Sequence, residues 1–195
     1  MDYYNTNSDK YIESTLKVHM NHLYNDFLGN ISDGAHILDL GCGSGRDSKF
    51  FLEKGYKVTA VDGSEKIAEG ASKFLGQEVI VSSFEELNLN EVYDGIWACA
   101  SLLHVDRKNI VKVIEKISSS LKENGVFYMS FKYGDNEYID ENGRYFNCYI
   151  EETFTSMIKT VDKLNVEKMH KTGDILGGRD SLVWLNILLR KDSRC

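Results

Sequence analysis

The feature that most constrains this chain is a glycine-rich turn between an apolar run and a helical pattern. The apolar run His36–Leu40 leads into Gly41-Cys42-Gly43-Ser44-Gly45, and a helix is predicted over 47–54, ended by Gly55. Glycine adopts positive φ and lets a ligand approach the backbone closely. The start of the helix offers free N–H groups and a positive dipole end to an anion. The segment therefore predicts a strand, a tight turn and a helix that together can hold a ligand.

Helical and strand patterns then alternate along the chain. Strands are predicted at 36–40, 57–61, 78–81, 95–99 and 126–131, and helices at 8–28, 47–54, 64–75 and 106–121. Such spacing indicates right-handed βαβ crossovers and a parallel sheet covered on both faces. A polar loop without periodicity follows at 133–143, then a helix at 151–160 and two long strands at 163–169 and 182–189. We expect an α/β fold, Rossmann-like and doubly wound, with a mostly parallel seven-stranded sheet and an antiparallel C-terminal strand.

The length and composition suit one domain with one site. The chain has 195 residues, of which 42% are hydrophobic, enough for a single sizeable core. We expect residues 1–195 to form one domain, with an N-terminal helical lid segment at 1–30. A cofactor-binding core is expected at 34–131, and a substrate-side segment with the sheet-edge strands at 132–195.

Charge and cysteine content limit the partners. The net charge is −7 and no long Lys/Arg run occurs, which disfavours nucleic acid and a bare membrane surface. The start of the chain is polar and no run approaches a membrane span, so we expect a cytoplasmic protein, as monomer or homodimer. The cysteines lie far apart, without metal-ligand spacing, and predict free thiols and no metal: Cys42, Cys99, Cys148 and Cys195.

An acidic residue helps to define the ligand. Asp62 ends the second predicted strand about twenty residues after the glycines, where a carboxylate can accept hydrogen bonds from both hydroxyls of a ribose. It could instead merely cap the helix that begins at Ser64. The glycine spacing is G-x-G-x-G, and Arg46 stands where a dinucleotide fingerprint needs its third glycine. A Walker phosphate loop is excluded because no G-K-S/T follows.

The segment Asp39-Leu40-Gly41-Cys42-Gly43-Ser44-Gly45 resembles the first motif of class I S-adenosylmethionine-dependent methyltransferases. The resemblance continues through 56–64, 93–97 and 121–126 and covers roughly 34–131. Residues 45–48 and 101–104 are similar to the small-molecule branch near the tellurite-resistance and thiopurine-type enzymes. The resemblance implies S-adenosylmethionine as cofactor, with Gly41–Gly45 at its methionine end, Asp62 at its ribose and Ser83-Phe84 at its adenine edge.

Other residues are expected to support the cofactor. Relatives commonly carry an acidic residue where Ser83 stands, so adenine is expected to depend on the Phe84 backbone and apolar packing. Asp39 could either touch the ligand or orient the loop from beneath. The full predicted cofactor set is Asp39, Gly41, Cys42, Gly43, Gly45, Asp62, Gly63, Ser64, Ser83, Phe84, Ala100 and Ser101.

The acceptor side is expected at the same sheet edge. Methyl transfer from a sulfonium is a direct displacement, so a general base is needed only if the acceptor must lose a proton. His104 is the candidate base, although a structural histidine is the commoner outcome. The candidate substrate-binding residues are Tyr11, which could also be core, and Lys132, Tyr133, Arg144 and Arg179, in segments where loop cations are more often simply solvated.

The absence of proline narrows the acceptor. Amino methyltransferases of DNA bases or glutamine carry an Asn/Asp-Pro-Pro-aromatic motif, and cytosine C5 enzymes a Pro-Cys motif, whereas this chain has Ala98-Cys99-Ala100-Ser101 and no proline. The predicted function is methyl transfer from S-adenosylmethionine to a small molecule. The alternatives are a non-catalytic cofactor-binding or interaction protein and, disfavoured by Arg46, an NAD-dependent oxidoreductase.

Overall fold

The computed structural model describes residues 2–16, 18, 20–89, 92–174 and 181–193. Its strands are β1 His36–Leu40, β2 Lys57–Asp62, β3 Val79–Val81, β4 Tyr93–Ala98, β5 Leu121–Lys132, β6 Glu137–Ile139, β7 Tyr145–Asn147, β8 Leu164–Gly173 and β9 Val183–Lys191. Its helices are α1 Asp2–Thr6, α2 Ser8–Leu16, α3 Asn21–Leu28, α4 Arg46–Glu53, α5 Glu65–Leu75, α6 Ile110–Ser119 and α7 Glu151–Ile158, with a short 3-10 turn at Leu102–His104. No helix in these ranges is long and apolar enough to cross a membrane.

Seven strands form one twisted sheet in the order β3-β2-β1-β4-β5-β9-β8. The strands from β3 to β5 pair in parallel, and β9 runs antiparallel to both of its neighbours, β5 and β8. The predicted Rossmann-like, mostly parallel sheet with an antiparallel C-terminal strand is therefore confirmed. In the sheet, β2 and β3 lie on one side of β1, and β4 and β5 lie on the other, so the order of the strands reverses between β1 and β4. Such a switch point opens a crevice at the carboxyl ends of the strands.

Each face of the sheet is covered by its own apolar cluster. Helices α6 and α7 bury residues such as Ile114 and Phe154 on one face, and α3, α4 and α5 bury Phe27, Phe51 and Ala71 on the other. The strands between them are buried on both sides, which explains their continuous apolar composition.

The predicted helix over residues 8–28 is wrong in one respect, because the structure divides it into α2 and α3. The two halves pack against different surfaces. Tyr11 and Ile12 of α2 lie over Gly43 and Gly70, whereas Leu23 and Phe27 of α3 are buried under the sheet. A single straight helix cannot present its apolar side to both places. The apolar periodicity therefore runs through residues 8–28 although they form two helices.

The expectation of a patternless loop at 133–143 is also wrong, since β6 and β7 form a hairpin. All three residues of β6 are exposed, so its sequence lacks the alternation of apolar and polar residues that indicates a half-buried strand. Arg107 holds the returning strand, because its Nε donates to Asn147 Oδ1 at 3.0 Å and its Nη2 to the Cys148 carbonyl at 2.5 Å.

Helix α6 begins later than predicted, at Ile110 rather than Asp106. The Asp106 carboxylate accepts the Lys108 N–H at 2.8 Å, which makes a local turn before the helix. At its other end, Leu121 already belongs to β5.

A buried carboxylate joins α3, α4 and β4. Asp47 accepts hydrogen bonds from the Tyr24 hydroxyl at 2.5 Å, from Trp97 Nε1 at 2.8 Å and from Arg46 Nε at 2.6 Å. Burial alone would raise the pKa of Asp47, but the Arg46 charge and these donors outweigh it and hold the pKa low. The side chain therefore stays ionised inside the core, fully provided with donors.

We expect Tyr24→Phe to lower the free energy of unfolding by roughly 1.5–3 kcal/mol, because it removes a buried hydrogen bond to a charged group. Urea denaturation measures the difference. Tyr56→Phe is the matched control, since Tyr56 is buried in the same cluster and its hydroxyl makes no hydrogen bond to a described residue, only the Asp33 charge acting on it. Equal losses in the two variants would show that the Asp47 contact contributes nothing.

Candidate functional site

The glycine turn is fixed between two strand ends. The N–H groups of Gly41 and Cys42 both donate to the Val61 carbonyl, at 2.8 and 2.9 Å. Gly41 has φ +75°, and a Cβ there would stand 2.5 Å from Ser101 Cβ. Gly45, at φ +81°, precedes α4 as its N-cap residue. Only glycine allows this conformation together with this closeness of the chain after β4.

Asp62 organises the turn from the end of β2. Its Oδ2 accepts the Gly43 N–H at 2.9 Å and its Oδ1 accepts the Ser64 N–H at 2.9 Å. Burial raises the pKa of Asp62, against the effect of the N–H donors of Ser64, Gly43 and Gly63. The cap of α5 is Ser64, whose Oγ accepts the Ile67 N–H at 3.3 Å. Asp62 thus does more than start a helix, because it also ties α5 to the glycine turn.

Asp39 lies beneath the turn. Its side chain is buried and accepts the Ser48 hydroxyl at 2.5 Å. Burial, reinforced by the negative charge of Asp47, raises the pKa of Asp39. Through Ser48 the Asp39 side chain is joined to helix α4, which follows the glycine turn, and both roles considered for Asp39 stay predictions.

The candidate adenine residues lie close to the turn but differ in their surroundings. Phe84 Cζ is 3.6 Å from where a Cβ of Gly41 would be, so the ring borders the glycine turn. Ser83 is engaged locally, since its Oγ accepts the Glu86 N–H at 3.2 Å.

The chain after β4 is strained and presents an unused polar atom. Ala100 has φ +51°, a conformation that L-residues rarely adopt, and its N–H donates to Ser130 Oγ at 2.8 Å. Ser101 Oγ is buried and has no hydrogen-bond partner in the part of the chain that the structure describes. Strain of this kind and an unsatisfied donor beside a glycine cradle suit a polar ligand group.

One cavity of about 420 Å³ extends from the glycine turn along the edge of the sheet where β4, β5 and β8 end. On the cofactor side it is lined by Gly41, Cys42, Ser44, Arg46 and Asp47. On the acceptor side the lining comes from the ends of β4, β5, β8 and β9 and from β7, and includes Ala100, His104, Ser130, Lys132, Arg144, Phe146, Asp174 and Trp184. The volume is that of a small-molecule site.

The N-terminal helices cover this cavity. The Tyr11 hydroxyl is 3.0 Å from the Cβ position of Gly43. Thr15 Oγ1 donates to Ser44 Oγ at 2.9 Å, and Ser64 Oγ donates to Asn5 Oδ1 at 2.6 Å. Tyr11, predicted at the substrate side, therefore also closes the glycine turn from above.

His104 is neutral and its tautomer follows from its partners. Nδ1 is 2.8 Å from the Tyr145 carbonyl, which can only accept, so Nδ1 carries the proton. Nε2 then accepts from the Tyr4 hydroxyl at 2.8 Å. Burial, the largest cause, together with the positive charges of Arg144 and Lys132, lowers the pKa of His104 from its ordinary value of 6.5 to about 4.

The predicted substrate-binding residues differ in where the structure places them. Lys132 and Arg144 line the cavity, but Arg144 is paired with Asp140, whose Oδ2 accepts its Nε and Nη2 at 2.9 and 2.7 Å. Tyr133 is absent from the lining and lies beneath Lys171, which is 4.6 Å from its ring centre. Arg179 lies outside the described residues.

Sequence reasoning missed several lining residues, which fall into two groups. Tyr4, Thr15 and Met20 come from the N-terminal segment, and Ser130, Trp184 and Asn186 come from β5 and β9. Ser130 could have been predicted in the same way as Ser101, because it lies near the carboxyl end of a predicted strand at the same edge of the sheet. For the N-terminal segment, the sequence suggested a lid at 1–30 with Tyr11 at the site, but it did not indicate that Tyr4, Thr15 and Met20 would line the cavity.

Comparison with known proteins agrees with this geometry. Residues 37–125 match the family described as "Methyltransferase domain". A ubiquinone biosynthesis O-methyltransferase of Rickettsia canadensis is 29% identical over 99 residues, 48% of this chain, and the match spans 41% of that relative's length. The chain thus spans about two fifths of the curated relative it matches.

Solved structures with low sequence identity share the fold. A Burkholderia thailandensis 1,6-didemethyltoxoflavin-N1-methyltransferase, solved with 1,6-didemethyltoxoflavin and S-adenosylhomocysteine, gives a TM-score of 0.74 at 21% identity over 98% of this chain and 85% of that one. An S-adenosylmethionine-dependent methyltransferase of Clostridium acetobutylicum gives 0.69 at 19% identity, over 97% and 99% of the two chains.

The fold is the Rossmann-like fold of these solved methyltransferases. Residues 37–125, somewhat less than half of the chain, match a methyltransferase domain, and S-adenosylmethionine is the cofactor that such a domain implies. The glycine cradle, the Asp62 carboxylate and the Ser101 hydroxyl, which has no hydrogen-bond partner among the described residues, fit such a ligand.

We expect the stability of the protein to fall more steeply between pH 6.5 and pH 4 than that of His104→Gln. The folded His104 resists protonation until about pH 4, whereas an unfolded histidine takes up its proton near pH 6.5, so falling pH favours the unfolded state. Urea midpoints at several pH values measure both slopes, and carboxylate effects common to both proteins cancel. Parallel slopes would contradict the buried neutral state of His104.

Proposed function

We propose that this protein transfers a methyl group from S-adenosylmethionine to a small-molecule acceptor. The observation that carries the proposal is the single cavity that runs from the glycine turn to the acceptor-side residues at the ends of β4 and β5. Cofactor and acceptor must meet in such a space for direct transfer. The names of relatives that methylate ubiquinone precursors and a toxoflavin precursor support a small acceptor by analogy.

When bound, S-adenosylmethionine supplies a methyl group activated by a positively charged sulfur. The residues proposed to hold the cofactor are those of the glycine turn, with Asp62 for the ribose hydroxyls and the strand end at Ala100 and Ser101 beside them. Tyr11 and Thr15 cover the turn. Their task would be to exclude water and keep the reacting groups aligned.

On the acceptor side, His104 offers the lone pair of Nε2 and currently receives the Tyr4 hydroxyl there. We propose that it accepts a proton only from acceptors that must lose one, through Tyr4 or after Tyr4 moves. Its low pKa makes it a weak base, so alignment, more than proton removal, would account for the rate.

The finer assignments belong to the same proposal. They are the likeness to the tellurite-resistance and thiopurine-type branch, carried by residues 45–48 and 101–104, the single domain over residues 1–195, and a cytoplasmic monomer or homodimer without nucleic acid or membrane as partner. Among the alternatives, an NAD enzyme is disfavoured because Arg46 replaces the third glycine and its guanidinium is held by Asp47 at 2.6 Å. A non-catalytic binding protein would share the cofactor site but show no turnover.

We expect S-adenosylmethionine and S-adenosylhomocysteine to raise the melting temperature, because a ligand that binds only the folded state stabilises it by mass action. NAD and ATP serve as controls and should leave it unchanged. Differential scanning fluorimetry measures all four. An equal rise of the melting temperature with NAD would contradict S-adenosylmethionine as the cofactor.

We expect Asp62→Ala to weaken S-adenosylhomocysteine binding by about 1.5–3 kcal/mol per lost hydrogen bond to the carboxylate. Calorimetry provides the dissociation constant, and circular dichroism checks the fold, since the variant also loses the Gly43 and Ser64 contacts. Asp192→Ala is the control, because Asp192 accepts Asn165 Nδ2 at the other end of β8 and does not line the cavity. Unchanged affinity in Asp62→Ala would return Asp62 to a structural role.

A further inference from the structure

The acceptor half of the cavity contains one cation that has no acidic partner nearby. Lys132 ends β5, and no carboxylate lies within 4 Å of its Nζ among residues 2–16, 18, 20–89, 92–174 and 181–193. The Nζ donates to the Tyr138 hydroxyl at 2.7 Å and lies 3.4 Å from the centre of the Phe146 ring. Neither contact neutralises its charge, so the ammonium keeps donors for a further partner.

The two arginines of the lining are already paired with carboxylates. Arg46 pairs with Asp47 at 2.6 Å and Arg144 pairs with Asp140 at 2.7 Å. Asp174 accepts the Trp184 indole N–H at 3.1 Å. The charges of Lys132 and Arg144 both lower the pKa of His104, so the surroundings of this histidine are positive.

The walls around Lys132 are aromatic. Tyr138 stacks on Phe146 with ring centres 5.1 Å apart and planes at 22°, and the His104 ring centre is 5.0 Å from that of Phe146. The Trp184 indole lines the same cavity. Flat apolar walls with one cation fit a flat ligand that carries a negative charge.

We propose that the methyl acceptor is a planar aromatic oxyanion, an ionised phenol or an aromatic carboxylate, whose charge is held by Lys132 Nζ. This inference rests on the proposed methyl transfer and specifies its substrate class. Of the two arginines expected on the substrate side, Arg144 is paired with Asp140 and Arg179 lies outside the described residues, so the proposal rests on Lys132.

The chemistry balances without a base. A lone pair of the acceptor oxygen forms the new O–C bond, the S–C bond of the cofactor breaks, and its electron pair stays on sulfur. The sulfonium and the oxyanion become a neutral thioether and a methyl ether or ester, and no proton is released. A positive pocket with a weakly basic histidine suits this reaction better than it suits a neutral alcohol or an ammonium acceptor.

The test uses two matched pairs of probes, 4-nitrophenolate with 4-nitroaniline and benzoate with benzamide. Each pair is titrated calorimetrically into the protein loaded with S-adenosylhomocysteine, at a pH where the phenol is ionised. We expect at least one anion to bind about tenfold more tightly than its neutral partner, as for one charge-assisted hydrogen bond. The pair that shows the preference distinguishes a phenolate from a carboxylate acceptor.

Variants then assign the preference to one side chain. Lys132→Met should abolish it and Lys132→Arg should retain it, while Lys132→Gln serves if the Met variant does not fold. Lys171→Met is the matched control, because Lys171 also lies over an aromatic ring, that of Tyr133, but does not line the cavity. Neutral probes that bind as well as the anions, or a preference that survives Lys132→Met, would overturn the inference.

Failure of the proposed function is visible separately. If S-adenosylhomocysteine does not bind, the methyltransferase proposal fails, and the same titrations on the cofactor-free protein still decide whether Lys132 selects anions. If the cofactor binds and no anion is preferred, the function stands and the substrate class is wrong.

Discussion

The buried carboxylate of Asp47 is the interaction on which the site depends. It receives donors from α3, from its own helix α4 and from β4, through Tyr24, Arg46 and Trp97. An ionised group is costly to bury unless it is fully hydrogen-bonded, so these three elements can pack together in few other ways. The start of α4 is thereby held against β4, and the glycine turn that precedes α4 is held with it.

The side chains around the glycine turn and those around His104 differ in charge. Asp39, Asp47 and Asp62 lie below and beside the glycine turn, where the turn and the helix start present N–H groups. Lys132 and Arg144 lie on the other side, next to His104. A cofactor that carries a sulfonium and ribose hydroxyls suits the first half, and an electron-rich acceptor suits the second. The polarity that we propose for the reaction is thus already present in the protein.

Much of the fold follows from local pattern. The strands β1, β2, β4, β5, β8 and β9 and the helices α4, α5 and α7 lie close to where apolar periodicity and Gly55 indicate. The apolar pattern gave wrong predictions for a strand that is exposed to solvent and for a helix whose two halves pack against different surfaces. All three residues of β6 are exposed to solvent. One amphipathic sequence was split into α2 and α3 because its halves pack against different surfaces.

The sequence by itself determined where the proposed cofactor half of the site lies, because the three glycines, Asp62 and the chain after β4 follow the ends of neighbouring strands in one parallel sheet. The acceptor half was decided only by tertiary structure. Which cation stays available depends on neighbours distant in the chain or in a hairpin, such as Asp140 for Arg144 and Phe146 for Lys132. The state of His104 likewise depends on Tyr4, one hundred residues away. Local propensity acts over a few residues, whereas charge pairing and burial act through space, so the first can be read from sequence and the second cannot.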